Sequence, residues 1–179
     1  MSTSYVALLR AVNVAGKTLK MADLREVVRS MGYADVSTYI QSGNVVFTCS
    51  RRTDAAKLGR QIEERLEQEL ALKTTVMVRT HQDLADIAAN NPFLGQRREP
   101  SKLHVTFLAD APEADAAQLL VVPDRGPEEL LLAGREVYLF YPNGYGRSKL
   151  SNTFIEKGLG VPATTRNWAT VLKLRDLSA

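Results

Sequence analysis

The sequence predicts an α+β protein made of two ferredoxin-like halves of the βαββαβ type, with largely antiparallel sheets and helices packed on one face. Three observations predict it. Short β-rich runs alternate with helical stripes in the order strand, helix, strand, strand, helix, strand through the first half of the chain. Turns centred on glycine separate the strands that should pair. A similar order returns after a basic connector at residues 93–101. The composition fits such a fold, with 179 residues, 45% of them hydrophobic and 24% charged. A core of this size needs no covalent staple, and Cys49 is the only cysteine.

Each element has its own cause. Residues 5–11 are a short apolar run and read as a strand, followed by a polar, glycine-containing loop at 13–20. Leu24, Val27, Val28 and Met31 repeat with helical spacing, so residues 21–31 form an amphipathic helix that Gly32 stops. Residues 36–41 and 45–49 are β-rich and flank Ser42-Gly43-Asn44, a hairpin signal because Gly and Asn tolerate positive φ. Ala55, Leu58, Ile62, Leu66 and Leu70 trace one stripe of a long helix, and residues 74–79 add a strand. Thr80-x-x-Asp83 resembles a capping box and opens a short helix that Asn90-Asn91-Pro92 ends.

The second half begins beyond residue 92, which divides the chain into 1–92 and 93–179. One continuous domain is the alternative. A strand at 103–108 precedes a helix at 113–120. Strands at 129–133 and 136–141 meet at Gly134-Arg135. A helix at 149–157 ends at Gly158 and Gly160, and a last helix runs over 167–177. This half therefore reads βαββα plus a helix, and lacks the final strand of the first.

Charge is distributed unevenly. Lys and Arg number 23 and Asp and Glu 20, for a net charge of +3. Arg10, Lys17 and Lys20 share residues 1–22 with no acid, and Arg147 and Lys149 share 137–155 with none. Acids crowd into Asp54, Glu63, Glu64, Glu67 and Glu69, the wet face of the long helix. This pattern suggests one electropositive face. The chain opens without a basic stretch leading into a long apolar run, and nothing approaches the ~18 apolar residues of a membrane span. A cytoplasmic protein with no membrane partner is expected.

Three segments stand out as candidate anion sites. In Arg10-Ala-Val-Asn13-Val-Ala-Gly16-Lys17, followed by Lys20, a strand runs through a glycine loop into a helix N-terminus, where unpaired N–H groups attract anions. In Tyr141-Pro-Asn143-Gly144-Tyr145-Gly146-Arg147-Ser148-Lys149 the same arrangement recurs with Arg and Lys, and Ser148 is a candidate N-cap. Thr164-Thr165-Arg166-Asn167-Trp168 places Thr165 and Asn167 as candidate caps and Arg166 at a helix start, against the dipole. Ordinary solvated loops and caps account for much of this, and core packing accounts for Trp168. Asn44 adds a polar group at the hairpin. The candidate ligand-binding residues are Arg10, Asn13, Lys17, Lys20, Asn44, Tyr145, Arg147, Lys149, Arg166 and Asn167. The two loops are expected to meet near Arg166. No cofactor is expected, and no His/Cys/carboxylate cluster has metal-ligand spacing. No nucleophile motif is present.

Five segments together resemble one family. They are Tyr5-Val-Ala-Leu-Leu-Arg10-Ala-Val-Asn13-Val-Ala-Gly16-Lys17, Met21-Ala-Asp-Leu24, Thr38-Tyr-Ile-Gln-Ser42-Gly-Asn44-Val-Val-Phe47, residues 141–150 and residues 163–173. In that order they are similar to the bacterial domain-of-unknown-function family 1697. The family typically has Gly where this chain has Ala15, and often Asn where it has Ala169. The resemblance implies an α+β fold with ferredoxin-like halves, and it implies no activity.

Three functions compete. The first is binding of a phosphorylated or otherwise anionic ligand, a nucleotide or nucleic acid, through the basic loops, with Tyr145 and Trp168 available for stacking. The second is an enzyme acting on a small anionic metabolite in a cleft between the halves. The third is a protein–protein adaptor whose loops are structural.

Overall fold

In the computed structural model, which describes residues 1–12, 18–95 and 98–179, the first ladder grows from β1 (Thr3–Leu9), whose last five residues are all buried. Helix α1 (Met21–Ser30) follows, with Met21, Leu24, Val27 and Val28 on its buried face. Strands β2 (Ala34–Thr38) and β3 (Asn44–Cys49) come next, then α2 (Ala55–Leu70), β4 (Val76–Thr80) and α3 (His81–Asn90). The first sheet has the order β2-β3-β1-β4 and is antiparallel throughout. This is the strand order and connectivity of a ferredoxin-like unit.

The second half repeats it. Strand β5 (Leu103–Leu108) leads to α4 (Ala114–Leu119), β6 (Glu129–Ala133), β7 (Glu136–Phe140), α5 (Asn152–Leu159), β8 (Ala163–Asn167) and α6 (Trp168–Leu177). Its order, β6-β7-β5-β8, is the first sheet's order position for position. Strand β8 corrects the expectation of a half without a last strand. Ala-Thr-Thr-Arg-Asn has no apolar run, so nothing local marks it. Its five pairs with β5, from His104↔Asn167 to Leu108↔Ala163, make it a strand.

Both faces of each sheet are buried. Tyr5, Ala7, Leu9, Val45, Phe47 and Val78 cluster with Leu24, Val28, Leu58, Ile62 and Leu66 of α1 and α2. Fully burying such a side chain stabilises the fold by roughly 1.5–3 kcal/mol. On the opposite face Val6, Leu8, Val46, Met77 and even Arg79 are buried too. In the second sheet Leu108, Val137, Leu139 and Tyr141 cluster with Ile155 and Leu159 of α5, while Leu103, Val105, Phe107 and Tyr138 on the other face are also buried.

Glycine is required where the backbone crowds. At Gly43, with φ 74°, an added Cβ would lie 2.5 Å from Val12 Cγ2 and 2.9 Å from Leu9 Cβ. At Gly59 it would lie 2.7 Å from the Val76 carbonyl oxygen, so α2 rests directly on β4. The capping box forms as read. Thr80 Oγ1 accepts from the Asp83 N–H at 3.1 Å, and Asp83 Oδ2 accepts from the Thr80 N–H at 2.8 Å. Helix α5 starts later than expected, because Ser151 rather than Ser148 is its cap, accepting from the Phe154 N–H at 3.1 Å.

The chain forms two compact units, Met1–Asp86 with Lys173–Ala179, and Ile87–Leu172. A division at residue 92 assigns Lys173–Ala179 to the second half, whereas these residues belong to the first unit. There Ser178 Oγ donates to the Arg175 carbonyl at 3.0 Å, and His81 Nδ1 lies 3.0 Å from the same oxygen. Among the described residues no helix is long and apolar enough to cross a membrane.

Candidate functional site

The first unit holds Arg10, Lys20 and Asn44. Arg10 follows directly on β1 and is half-buried; its N–H donates to the Thr75 carbonyl at 2.9 Å and its carbonyl accepts from Thr74 Oγ1 at 2.6 Å. Lys20 is the exposed N-cap residue of α1 and makes no side-chain capping bond. Asn44 is fully buried, and its Nδ2 donates to the Tyr39 carbonyl at 3.1 Å. That carboxamide closes the β2–β3 hairpin rather than facing solvent. Asn13 and Lys17 lie outside the described residues, and so does the expected meeting of their loop with residues 141–149.

The second unit supplies a denser arrangement. The 141–149 loop leaves β7 through Tyr141, turns at Gly144 (φ 88°), and reaches α5. Tyr141 is fully buried, and its hydroxyl donates to the Leu150 carbonyl at 2.7 Å. Burial pushes its phenol far above the ordinary range. Tyr145, half-buried, stacks on His104 with centroids 4.9 Å apart and planes at 25°. Tyr141 meets both rings edge-on, at 5.1 Å from each. Burial lowers the His104 imidazole, an effect that the Lys102 backbone opposes. Among the described residues, His104 Nδ1 is buried with no hydrogen-bond partner.

Around this cluster the polar groups are unequal. Ser148 Oγ donates to Glu128 Oε1 at 2.7 Å and accepts from the Leu150 N–H at 3.1 Å. Lys149 pairs with Asp124, which raises its pKa. Asn167 Oδ1 accepts from the Thr170 N–H at 2.8 Å and caps α6 as expected. Thr165 lies in β8 and is no cap; its hydroxyl donates to Asn152 Oδ1 at 2.9 Å. Arg147 is exposed and makes no hydrogen bond or ion pair among the described residues.

Arg166 departs from its expected place. It lies inside β8, paired with Val105, and is 8% exposed. Its guanidinium donates to Thr164 Oγ1 at 2.5 Å and to the Thr165 carbonyl at 3.1 Å. Burial pushes its pKa down to about 10, with Tyr145 acting in the opposite sense. It remains cationic at neutral pH. Trp168 is 4% exposed and belongs to the core. Among the described residues no group of three or more His, Cys, Asp or Glu side chains could hold a metal ion.

A family model described as a protein of unknown function, DUF1697, matches residues 2–138. The chain belongs to this family. The DUF1697 match contains Arg10, Asn13, Lys17, Lys20 and Asn44, and ends before the 141–149 loop and β8. No curated protein matches the chain. Among solved structures it is similar to the conserved bacterial protein SP0830 from Streptococcus pneumoniae, with 24% identity over 100% of both chains and a TM-score of 0.70. At that identity the likeness concerns the fold.

In this DUF1697 chain, reading the sequence found Tyr145, Arg147 and Lys149 together and missed His104 as their companion. A signal was available. His104 pairs with Leu139, so it lies on the same face as Tyr141, two residues further along β7's course. Using it required knowing that β5 and β7 are neighbours.

Proposed function

We propose that the chain binds a phosphorylated or otherwise anionic ligand, a nucleotide or a nucleic acid, on the 141–149 loop of its second unit. The observation that carries this reading is Arg147. It is exposed and makes no hydrogen bond or ion pair among the described residues, whereas Ser148, Lys149 and Asn167 beside it have protein partners. A guanidinium offers a planar fork that matches phosphate or carboxylate oxygens. Two residues away, Tyr145 supplies a ring already held against His104, a platform suited to a base. Neutral His104 adds no charge of its own, so the anion would be met by Arg147 first.

Thermal denaturation with nucleotides, short oligonucleotides and inorganic phosphate, at low and high salt, tests this reading. A ligand at a hundred times its dissociation constant adds about 2.7 kcal/mol, or roughly 5–10 °C for a chain of this size. Arg147→Ala should abolish the rise, Tyr145→Ala should reduce it for nucleotides more than for phosphate, and Lys149→Ala should change it least. Erasure by salt of a rise with any oligonucleotide assigns nucleic acid. A rise that Arg147→Ala leaves intact overturns the assignment to this loop.

A further inference from the structure

The two sheets present the same strand at one edge, β2 in the first unit and β6 in the second, yet the edges are built differently. The pairing of β2 with β3 shifts register between Ala34 and Ser37. Exposed Asp35 sits in that irregularity with φ 51°. A bulge and a charge are the devices by which chains keep an edge from pairing. Strand β6 has no bulge, and its one charged residue, Glu129, stands at its first position rather than its centre. It pairs with β7 residue for residue, from Glu129↔Phe140 to Ala133↔Glu136. Three consecutive leucines fill its centre, and Leu131 is 43% exposed.

The turn sets which groups face outward. Gly134 (φ 61°) and Arg135 form a two-residue hairpin loop, so Ala133 and Glu136 are the hydrogen-bonded closing pair. Alternation along the ladder then leaves the N–H and C=O groups of Leu130 and Leu132 directed away from β7.

We propose that β6 pairs antiparallel with β6 of a second copy of this chain, about a two-fold axis at Leu131. In this register each Leu130 exchanges both backbone bonds with Leu132 of the second copy, and Leu131 faces Leu131. The strand is self-complementary in charge. Glu129 at its start, which already accepts two 2.7 Å bonds from Arg98, lies opposite Ala133 of the second copy, with Arg135 two residues on as a diagonal neighbour of its exposed carboxylate. A parallel pairing would set the two Glu129 side chains together. The contact is isologous, so it closes as a dimer.

Sedimentation velocity from micromolar to sub-millimolar protein tests the proposal, with a dimer that dissociates on dilution expected. Leu131→Lys places like charges face to face and should raise the dissociation constant about tenfold or more. At concentrations where the parent is monomeric, thermal melting of Leu131→Lys should match the parent, since the side chain is then exposed. Leu131→Cys gives a second readout. Opposed residues of a non-hydrogen-bonded pair lie about 4.5 Å apart at Cα, within disulfide reach. Mild oxidation should therefore cross-link two Leu131→Cys copies, while Leu119→Cys, at a site 78% exposed, should not cross-link at that rate. Buried Cys49 is common to both variants. A monomer at every concentration overturns the proposal. So does a dimer that Leu131→Lys leaves unchanged and Leu131→Cys fails to cross-link.

Discussion

The Tyr141 hydroxyl donates to the Leu150 carbonyl at 2.7 Å, and both residues are fully buried. One hydrogen bond thus joins the two ends of the segment that displays Tyr145 and Arg147. The phenol is held neutral by its surroundings, so the bond persists across the working pH range.

Tyr141→Phe keeps the ring contacts with His104 and Tyr145 and removes only this bond. It leaves a buried carbonyl without its donor, at a cost of about 1–3 kcal/mol. The melting temperature should fall by roughly 2–12 °C for a chain of this size. If the 141–149 loop binds a ligand, affinity should fall as well, because Arg147 loses its fixed frame. An unchanged melting temperature would show that the bond contributes nothing net.

His104 makes stability depend on pH. Burial holds its folded pKa below the ordinary 6.5. Below 6.5 the unfolded chain therefore binds more protons than the folded one, so stability rises with pH there. The contribution is fully present above 6.5 and is lost as pH falls through the folded value. Urea denaturation at a series of pH values should show this slope, and His104→Phe, which keeps an aromatic partner for Tyr145, should flatten it. Equal slopes in the two proteins would count against a perturbed His104.

Arg166 tests how the second sheet tolerates a buried cation. Arg166→Ala strips the bonds to Thr164 and Thr165 and opens a void, at about 2–4 kcal/mol. Arg166→Met fills most of that volume without the charge, so it should recover a good part of the loss. Chemical denaturation of both variants measures the difference. Were Arg166→Met as damaging as Arg166→Ala, the hydrogen bonds rather than the packing would dominate.

Much of this architecture is legible in single segments. The Thr80–Asp83 box forms both of its bonds. Ser42-Gly43-Asn44 makes its turn, with Gly43 at φ 74°. The stripe from Leu58 to Leu66 is buried as its spacing requires. The candidate site is less legible. Arg166 looks like a solvated residue at a helix start because the residues around it are polar, and its burial depends on β5, some sixty residues earlier in the chain. A separation of some forty residues likewise hides His104 from Tyr145.

What the sequence by itself determined is therefore local: helical stripes, turn residues, caps, and the order of elements that implies two similar halves. Those features depend on neighbours within a few residues, where spacing and side-chain chemistry decide the conformation. Only the tertiary structure decided that residues 163–167 are a strand, that Asn44 and Arg166 are buried, and that Arg147 stays exposed beside an aromatic cluster. It also decided that β6 forms a regular edge and β2 an irregular one. The reason is that sheet pairing joins residues far apart in the chain, and burial follows from which strands become neighbours.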